Sequence, residues 1–327
     1  MKRLAAAALL SVVSLIVALA MVEAGLRLTD RVRNVGASFS EFDPVYGKWL
    51  KKNASIRRIT PEFDMLLETD SLGFREPELP DDAKGAILFT GDSFTMGYGV
   101  DQNLDFPSLV RAALEREMGA EAPAIVNTGV GNSGNGRTLL WLEREAARFD
   151  PSLVVIQLTG NDFEDNREER LFEPDHSGTL RPLPVHPPGL ARRIQAAIDD
   201  TPWIANLHLV GFAREVVIAL RQRRESSTDE TADPDGGDEL TFAILRRILA
   251  VCDERNWPVL GLAVEIGAGR LAMLEKLFEE ARSELLVMPT KQERPDLYYD
   301  RDGHWREQGH AFASSMLLDR MNRQRQN

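Results

Sequence analysis

Ala86-Ile87-Leu88-Phe89-Thr90-Gly91-Asp92-Ser93-Phe94-Thr95 is a short apolar run that ends in a glycine-led polar turn. An uninterrupted apolar run of this length marks a strand buried on both faces. The pattern recurs at Ala124–Asn127, Leu153–Thr159, Pro258–Val264 and Leu285–Met288. Between these runs, apolar residues return at helical spacing. Phe106, Leu109, Val110, Ala113 and Leu114 do so behind Asp105, which is placed to cap. Phe242, Leu245, Ile248, Leu249 and Cys252 form a second such set, and Leu271, Leu274, Leu277, Phe278 and Ala281 a third. Strand and helix in alternation imply parallel strands joined by right-handed crossovers. The expected fold is α/β, a three-layer sandwich around a central parallel sheet of about five strands. Such sheets bind ligands beyond the carboxyl ends of their strands.

The whole chain has 327 residues, with 39 Lys and Arg against 51 Asp and Glu, a formal charge of −12. At 43% hydrophobic and 28% charged residues the composition is globular. The acidic balance argues against a nucleic-acid partner, because phosphate recognition needs clustered excess Lys and Arg. The single cysteine, Cys252, excludes an intramolecular disulfide framework and a cysteine-based zinc finger.

The first residues depart from that average. Lys2 and Arg3 precede Leu4–Val22, 19 residues without a charge, which as a helix would span about 28 Å and nearly cross a bilayer. The basic flank keeps the amino end in the cytoplasm. Two readings lead, an uncleaved anchor or a signal cut at the small-residue pattern Ala18-Leu19-Ala20, with a buried soluble helix as the remaining alternative. Either of the first two puts the working part outside the cytoplasm, tethered at the periplasmic or cell-surface side, or secreted after cleavage. The chain then divides into a membrane segment (1–27), a stalk (28–83) that has aromatic and proline punctuation but no clear element and packs back on the core, and a main domain (84–327). That domain is interrupted at about 166–240 by an insertion. The insertion holds Pro182, Pro184, Pro187 and Pro188, one apolar helix from about Pro202 to Leu220, and a solvated acidic linker, Glu225–Glu239.

Four segments carry chemistry. Ser93 follows the first strand in a Gly-flanked turn, where the next backbone N–H groups can face an oxyanion; a plain helix cap is the alternative. Thr95 stands where a G-x-S-x-G elbow needs glycine, and no Gly-Lys-Ser/Thr follows as in a P-loop. After the second strand come Gly129, Gly131 and Gly134, spaced G-x-G-x-x-G. Dinucleotide binding needs that spacing after the first strand and an acid after the next, yet the next strand ends in Thr159-Gly160-Asn161. The loop is better read as bringing a backbone N–H close to the site. Asn161 can aim its amide at the same spot, or simply form a turn with Asp162. Near the carboxyl end, Tyr299-Asp300-Arg301-Asp302-Gly303-His304-Trp305 sets an acid beside a histidine, so His304 can act as general base toward Ser93. Asp300, Asp302, His304 and His310 are the one other grouping, with metal-ligand chemistry. His176, His186 and His208 lie in the insertion and read as surface or packing residues.

Taken in order, Gly91-Asp92-Ser93, the Gly/Asn loop at 127–136, Gly160-Asn161-Asp162 and Asp302-x-His304 resemble the SGNH (GDSL-type) hydrolase superfamily. The anchor, Leu72-Gly73-Phe74-Arg75 and Gly129-Val130-Gly131-Asn132 look like an exported, membrane-tethered bacterial branch of it. The resemblance covers residues 84–164 and 285–325. It implies a flavodoxin-like sandwich with Ser93 as nucleophile, His304 as base and an oxyanion hole from Ser93, the second loop and Asn161. It implies no metal and no organic cofactor. Two departures matter. The usual oxyanion glycine falls on Asn132, with Gly131 just before it, so either can supply the donor. The common acid spacing would need an acid at Arg301; Asp302 is favoured, with Asp300 as the alternative, and this spacing looks like polysaccharide O-acetyltransferase relatives. The expected function is a serine ester hydrolase acting on a small-molecule or glycan ester. The alternatives are an O-acyltransferase with the same triad and, from another class, a catalytically silent, membrane-tethered glycan-binding module.

Overall fold

The computed structural model describes residues 2–29, 32, 35–75, 79, 83–175, 179–216 and 236–325. Five strands form the central sheet: β1 (Ile87–Thr90), β2 (Ile125–Asn127), β3 (Leu153–Thr159), β4 (Val259–Val264) and β5 (Glu284–Val287). Each lies within one residue of an apolar run in the sequence. All are parallel, in the order β2-β1-β3-β4-β5, which is the flavodoxin-like arrangement. Every residue of β1, β2 and β3 is buried. With helices on both faces, neither side of these strands can tolerate polar alternation.

The helices are α1 (Lys2–Thr29), α2 (Ser93–Met96), α3 (Phe106–Met118), α4 (Asn135–Arg144), α5 (Asp162–Glu169), α6 (Leu190–Asp199), α7 (Gly236–Glu254), α8 (Ala268–Glu280) and α9 (Glu307–Arg325). On one sheet face, Phe106, Val110 and Leu114 of α3 join Ala313, Leu317 and Met321 of α9 over Ile87, Phe89, Val155, Leu260 and Leu262. Asp105 caps α3, its side chain accepting from the Ser108 N–H at 3.1 Å. On the opposite face α4, α5 and α7 pack together. There Gly261 lets Phe278 of α8 sit against β4; a Cβ would come within 2.6 Å of the ring.

The chain gathers into two compact units. One holds the described parts of 1–38, 57–63 and 189–232; the other holds those of 39–56, 64–188 and 233–327. Residues 39–56 and 64–75, part of the segment read as a stalk that packs back on the core, fall in the same unit as the sheet and carry short strands where no clear element was expected. Ser40–Glu41 pairs antiparallel with Trp49–Leu50. Further on, the Asp70 side chain accepts from the N–H groups of Leu72 and Phe74 at 2.9 and 2.8 Å. That turn delivers Phe74 edge-on to Trp49 and Trp141. It also delivers Arg75, fully buried, to the loop after α2. Its guanidinium donates to the carbonyls of Met96 (2.8 Å), Gly97 and Val100 (2.6 Å) and lies 3.9 Å from Asp105.

The insertion departs from its sequence reading. Phe172–Pro174 and Leu180–Pro182 form an antiparallel ribbon. The helix expected from Pro202 to Leu220 is two pieces, Pro202–Ala205 and 208–216, because the carboxylate of Glu23 accepts from the His208 and Leu209 N–H groups and starts a second helix. Residues 217–220 of that expected helix, residues 225–235 of the acidic linker, and His176 lie outside the described residues. Asp238 and Glu239 are not linker: they open α7, and Asp238 pairs with Arg270 at 2.7 Å. Cys252 is buried in α7, where burial pushes its thiol up to about 12.

Two expectations follow. Replacing Arg75 by Met strands a buried carboxyl and three carbonyls, so urea unfolding of the full chain in detergent should show a loss of about 3–5 kcal/mol. His310 in α9 is buried, and its Nδ1 accepts from the Phe106 N–H at 3.3 Å. Burial first, then the charges of Arg75 and His304, pull its pKa down to about 3 from the 6.5 of a free imidazole. Below pH 6.5 the unfolded chain therefore binds a proton that the native state refuses, and stability falls with pH. His310→Gln keeps an acceptor without titrating, so its stability relative to wild type should rise by about 2 kcal/mol between pH 7 and pH 5.

Candidate active site

In a sheet of this order the first crossovers from β1 and β3 leave on opposite faces, opening a crevice at their carboxyl ends. Ser93 stands there as the first residue of α2, a single turn. Asp92 caps it, accepting from the Phe94 N–H at 2.9 Å. Gln157 of β3 fixes the turn from below: its Oε1 accepts from the Asp92 N–H (3.1 Å) and from the Thr95 hydroxyl (2.9 Å). Thr95, the residue that breaks the elbow motif, is thus a buried strut. The Asn127 amide of β2 donates to the Thr95 carbonyl at 2.8 Å.

The second loop closes on the same turn. Gly129 abuts α2, and a Cβ there would lie 2.3 Å from the Met96 nitrogen. A Cβ on Gly134 would lie 2.4 Å from Asn166 Oδ1. Close packing of the loop on α2 and α5 therefore explains the outer two glycines of the spacing. A Cβ on Gly131 would stand 3.6 Å from Ser93 Cβ, so the loop backbone reaches the serine. Asn132 takes a left-handed φ of 51°. Among the described residues, the N–H groups of Ser93, Gly131 and Asn132 have no hydrogen-bond partner. Lys48 turns the loop's carbonyls the other way, its Nζ donating to those of Gly131 (2.8 Å) and Asn132 (2.5 Å).

Asn161 lies at the carboxyl end of β3, exposed, but its amide is already engaged. Nδ2 donates to Asp165 at 2.8 Å and, more weakly, to Asp92 at 3.4 Å. Beneath it, Asp162 accepts from the Thr159 N–H and the Asn135 amide. Burial, with the Asp92 carboxylate nearby, holds the Asp162 carboxyl well above the usual range. Burial likewise raises Asp165.

His304 completes the group. Its Nε2 lies 2.8 Å from Ser93 Oγ, and its Nδ1 bonds Asp302. Phe94 and Tyr98 flank the ring, with centroids 5.0 and 4.8 Å away. Asp300 points elsewhere, to Arg306 at 3.1 Å. His310 is in the core behind α3, so Asp300, Asp302, His304 and His310 do not converge. Among the described residues no three His, Cys, Asp or Glu are grouped to hold a metal. A serine hydroxyl on an imidazole that is held by a carboxylate, beside unpaired N–H groups, can transfer an acyl group. Sequence reasoning did not single out Lys48, Gln157 or Asp165, and it noted Arg75 only as part of Leu72-Gly73-Phe74-Arg75, without a role; each reaches the site from a distant element or lies inside a helix of ordinary composition.

The sequence pattern of the GDSL-like lipase/acylhydrolase family matches residues 89–312. No curated protein matches the sequence. Among solved structures, the psychrotrophic esterase EstA from Pseudoalteromonas sp. is similar, with TM-score 0.45 and 13% identity over 75% of this chain and 100% of its own. TesA gives TM-score 0.42 and 14% identity over 72% and 96%. AlinE4, an SGNH-hydrolase family esterase, gives 0.38 and 17% over 75% and 98%. With the family pattern spanning more than half its length, the chain belongs to the GDSL-like lipase/acylhydrolase family and is a hydrolase of ester bonds.

Proposed function

We propose that the chain cleaves a small-molecule or glycan ester through a Ser93–His304–Asp302 triad, outside the cytoplasm and tethered by α1. The observation that carries this reading is the 2.8 Å contact between His304 Nε2 and Ser93 Oγ, with Nδ1 engaged by Asp302; it falls within the reach required of a base and its nucleophile. Ser93 Oγ attacks the ester carbonyl carbon while its proton passes to Nε2. The negative charge on the carbonyl oxygen meets the N–H groups of Ser93 and Gly131 or Asn132, and the Asn161 amide once it turns from Asp165. His304 then protonates the departing alkoxide, and water, deprotonated by the same imidazole, releases the acid. Asp302 fixes the tautomer and steadies the imidazolium. The tether rests on α1, a helix long and apolar enough to cross a bilayer.

A second reading, transfer to a sugar hydroxyl instead of water, is favoured by one detail: the acid sits two residues before the base, the spacing that resembles polysaccharide O-acetyltransferases. The unpaired N–H groups around Ser93 count against a silent binding module.

Ser93→Ala in the full chain should lower p-nitrophenol release from its acetate ester by at least about 10³-fold and abolish labelling by a fluorophosphonate probe. Undiminished turnover in that variant would sink the triad, and an unlabelled wild type would favour the silent module. Asp302→Asn should cost about 10²- to 10⁴-fold in kcat, whereas Asp300→Asn should leave kcat within about two-fold; the reverse order would reassign the acid. Lys48→Met should lower kcat with KM nearly unchanged, by less than the about 10²-fold that loss of an oxyanion donor costs. Product analysis with a glycan acceptor present separates transfer from hydrolysis.

A further inference from the structure

The insertion's helices are turned with their apolar sides outward. In α6, Leu190, Ile194, Ala197 and Ile198 recur at i, i+4, i+7 and i+8, a single apolar stripe. A helix on a water-facing surface hides such a stripe. Here Leu190 and Ile194 are 73% and 54% exposed, and Ile198 at the edge of the stripe is half-buried like Gln195 beside it. Asp199 is half-buried and paired with Arg214, which also donates to the Gly36 carbonyl at 3.0 Å. The following turn adds Trp203, 73% exposed, and helix 208–216 adds Phe212 and Val216, both exposed. The other four tryptophans of the chain are 6% exposed or less.

Within the same unit, these helices are fastened to the end of α1. Glu23, the first charge after the apolar run Leu4–Val22, receives the N–H groups of His208 and Leu209 at 3.0 and 2.9 Å. Gly36 donates to the Ala205 carbonyl at 3.0 Å. A charge that ends a membrane-crossing run marks the level at which the helix leaves the hydrocarbon. The hydrogen bonds set the start of helix 208–216 at that level, and Trp203 is the residue type that favours that boundary.

We propose that α6, the Trp203 turn and helix 208–216 lie in the headgroup–hydrocarbon boundary of the bilayer that α1 crosses, their apolar faces inserted as a collar around the anchor. The proposal rests on the reading of α1 as a membrane span. Between residues 189 and 216 three arginines stand against three acids. Insertion is therefore driven by apolar burial, to a depth of about 5–10 Å, and needs no anionic lipid.

The test uses the full chain reconstituted in phosphatidylcholine vesicles, some brominated on the acyl chains near the headgroups and some near the chain ends. Flotation with the vesicles reports the anchor; quenching of tryptophan emission reports the collar. Headgroup-proximal bromine should quench Trp203 about two-fold, chain-end bromine less, and Trp203→Phe should remove the bromine-sensitive emission. Leu190→Glu with Ile194→Glu should reduce the quenching while the protein still floats and still hydrolyses its ester. A chain that floats with Trp203 unquenched overturns the collar and leaves the anchor standing. If such a chain also cross-links in pairs through this face, the face belongs to a second copy. A chain that does not float overturns anchor and collar together.

Discussion

A helix of one turn cannot hold its own shape, because too few internal hydrogen bonds offset the cost of nucleating it. The site depends on that limit, since Ser93 opens such a turn. What holds it is a set of buried polar side chains reaching in from three directions. Gln157 comes from β3, Asn127 from β2 and Arg75 from the amino-terminal segment, while Asp92 caps from within. Each partner is desolvated, so each bond is strong and the loss of any one leaves an unpaired group in the interior. The position of the hydroxyl is in this sense a property of the whole sheet. Arg75 shows the cost most plainly, as a guanidinium removed from water whose charge is met by three carbonyls and a carboxyl.

Much of this was legible in the sequence where the signal is local. Strands buried on both faces show as bare apolar runs, so β1 to β5 fall within a residue of their reading. Asp105 announces its cap, whereas the sequence favours Asp302 and leaves Asp300 open, and only the folded loop shows which of them touches the imidazole. The partners of the turn were not legible. Gln157 sits at one position in an otherwise apolar strand, and Lys48 and Arg75 lie in a segment without periodicity, so only the folded chain brings them to residues dozens of positions away. Asn161 was found, but its engagement with Asp165 was not, because an i, i+4 pair in a polar helix looks like ordinary surface.

The insertion failed for a different reason. Apolar spacing reports that a helix has two sides and is silent on which side meets water. The helix of Leu190, Ile194, Ala197 and Ile198 was not read from the sequence, and its spacing alone would not have told that Leu190 is exposed. The division at 208 was invisible too, because the residue that starts the new helix, Glu23, stands 185 positions earlier.

Asp302 and His304 share one short loop, closed by the pairing of Tyr298 with Trp305 and stopped at Gly303 by a left-handed φ of 87°. The carboxylate and the imidazole therefore travel as one piece. Their mutual geometry is set within three residues, and one long-range distance, from imidazole to serine, remains for the fold to supply across 211 positions. That distance is fixed by the seating of a single carboxyl-terminal segment, with Trp305 against Phe94 and Phe106. That segment is built into the core, since Tyr298, Trp305, Ala313 and Leu317 are fully buried in one cluster with Phe89, Val155 and Leu262 of the sheet, so it opens with the sheet and not ahead of it. The contact between imidazole and serine is thus as secure as the main core, and a substitution that loosens α9 over α3 would part His304 from Ser93 without touching either residue.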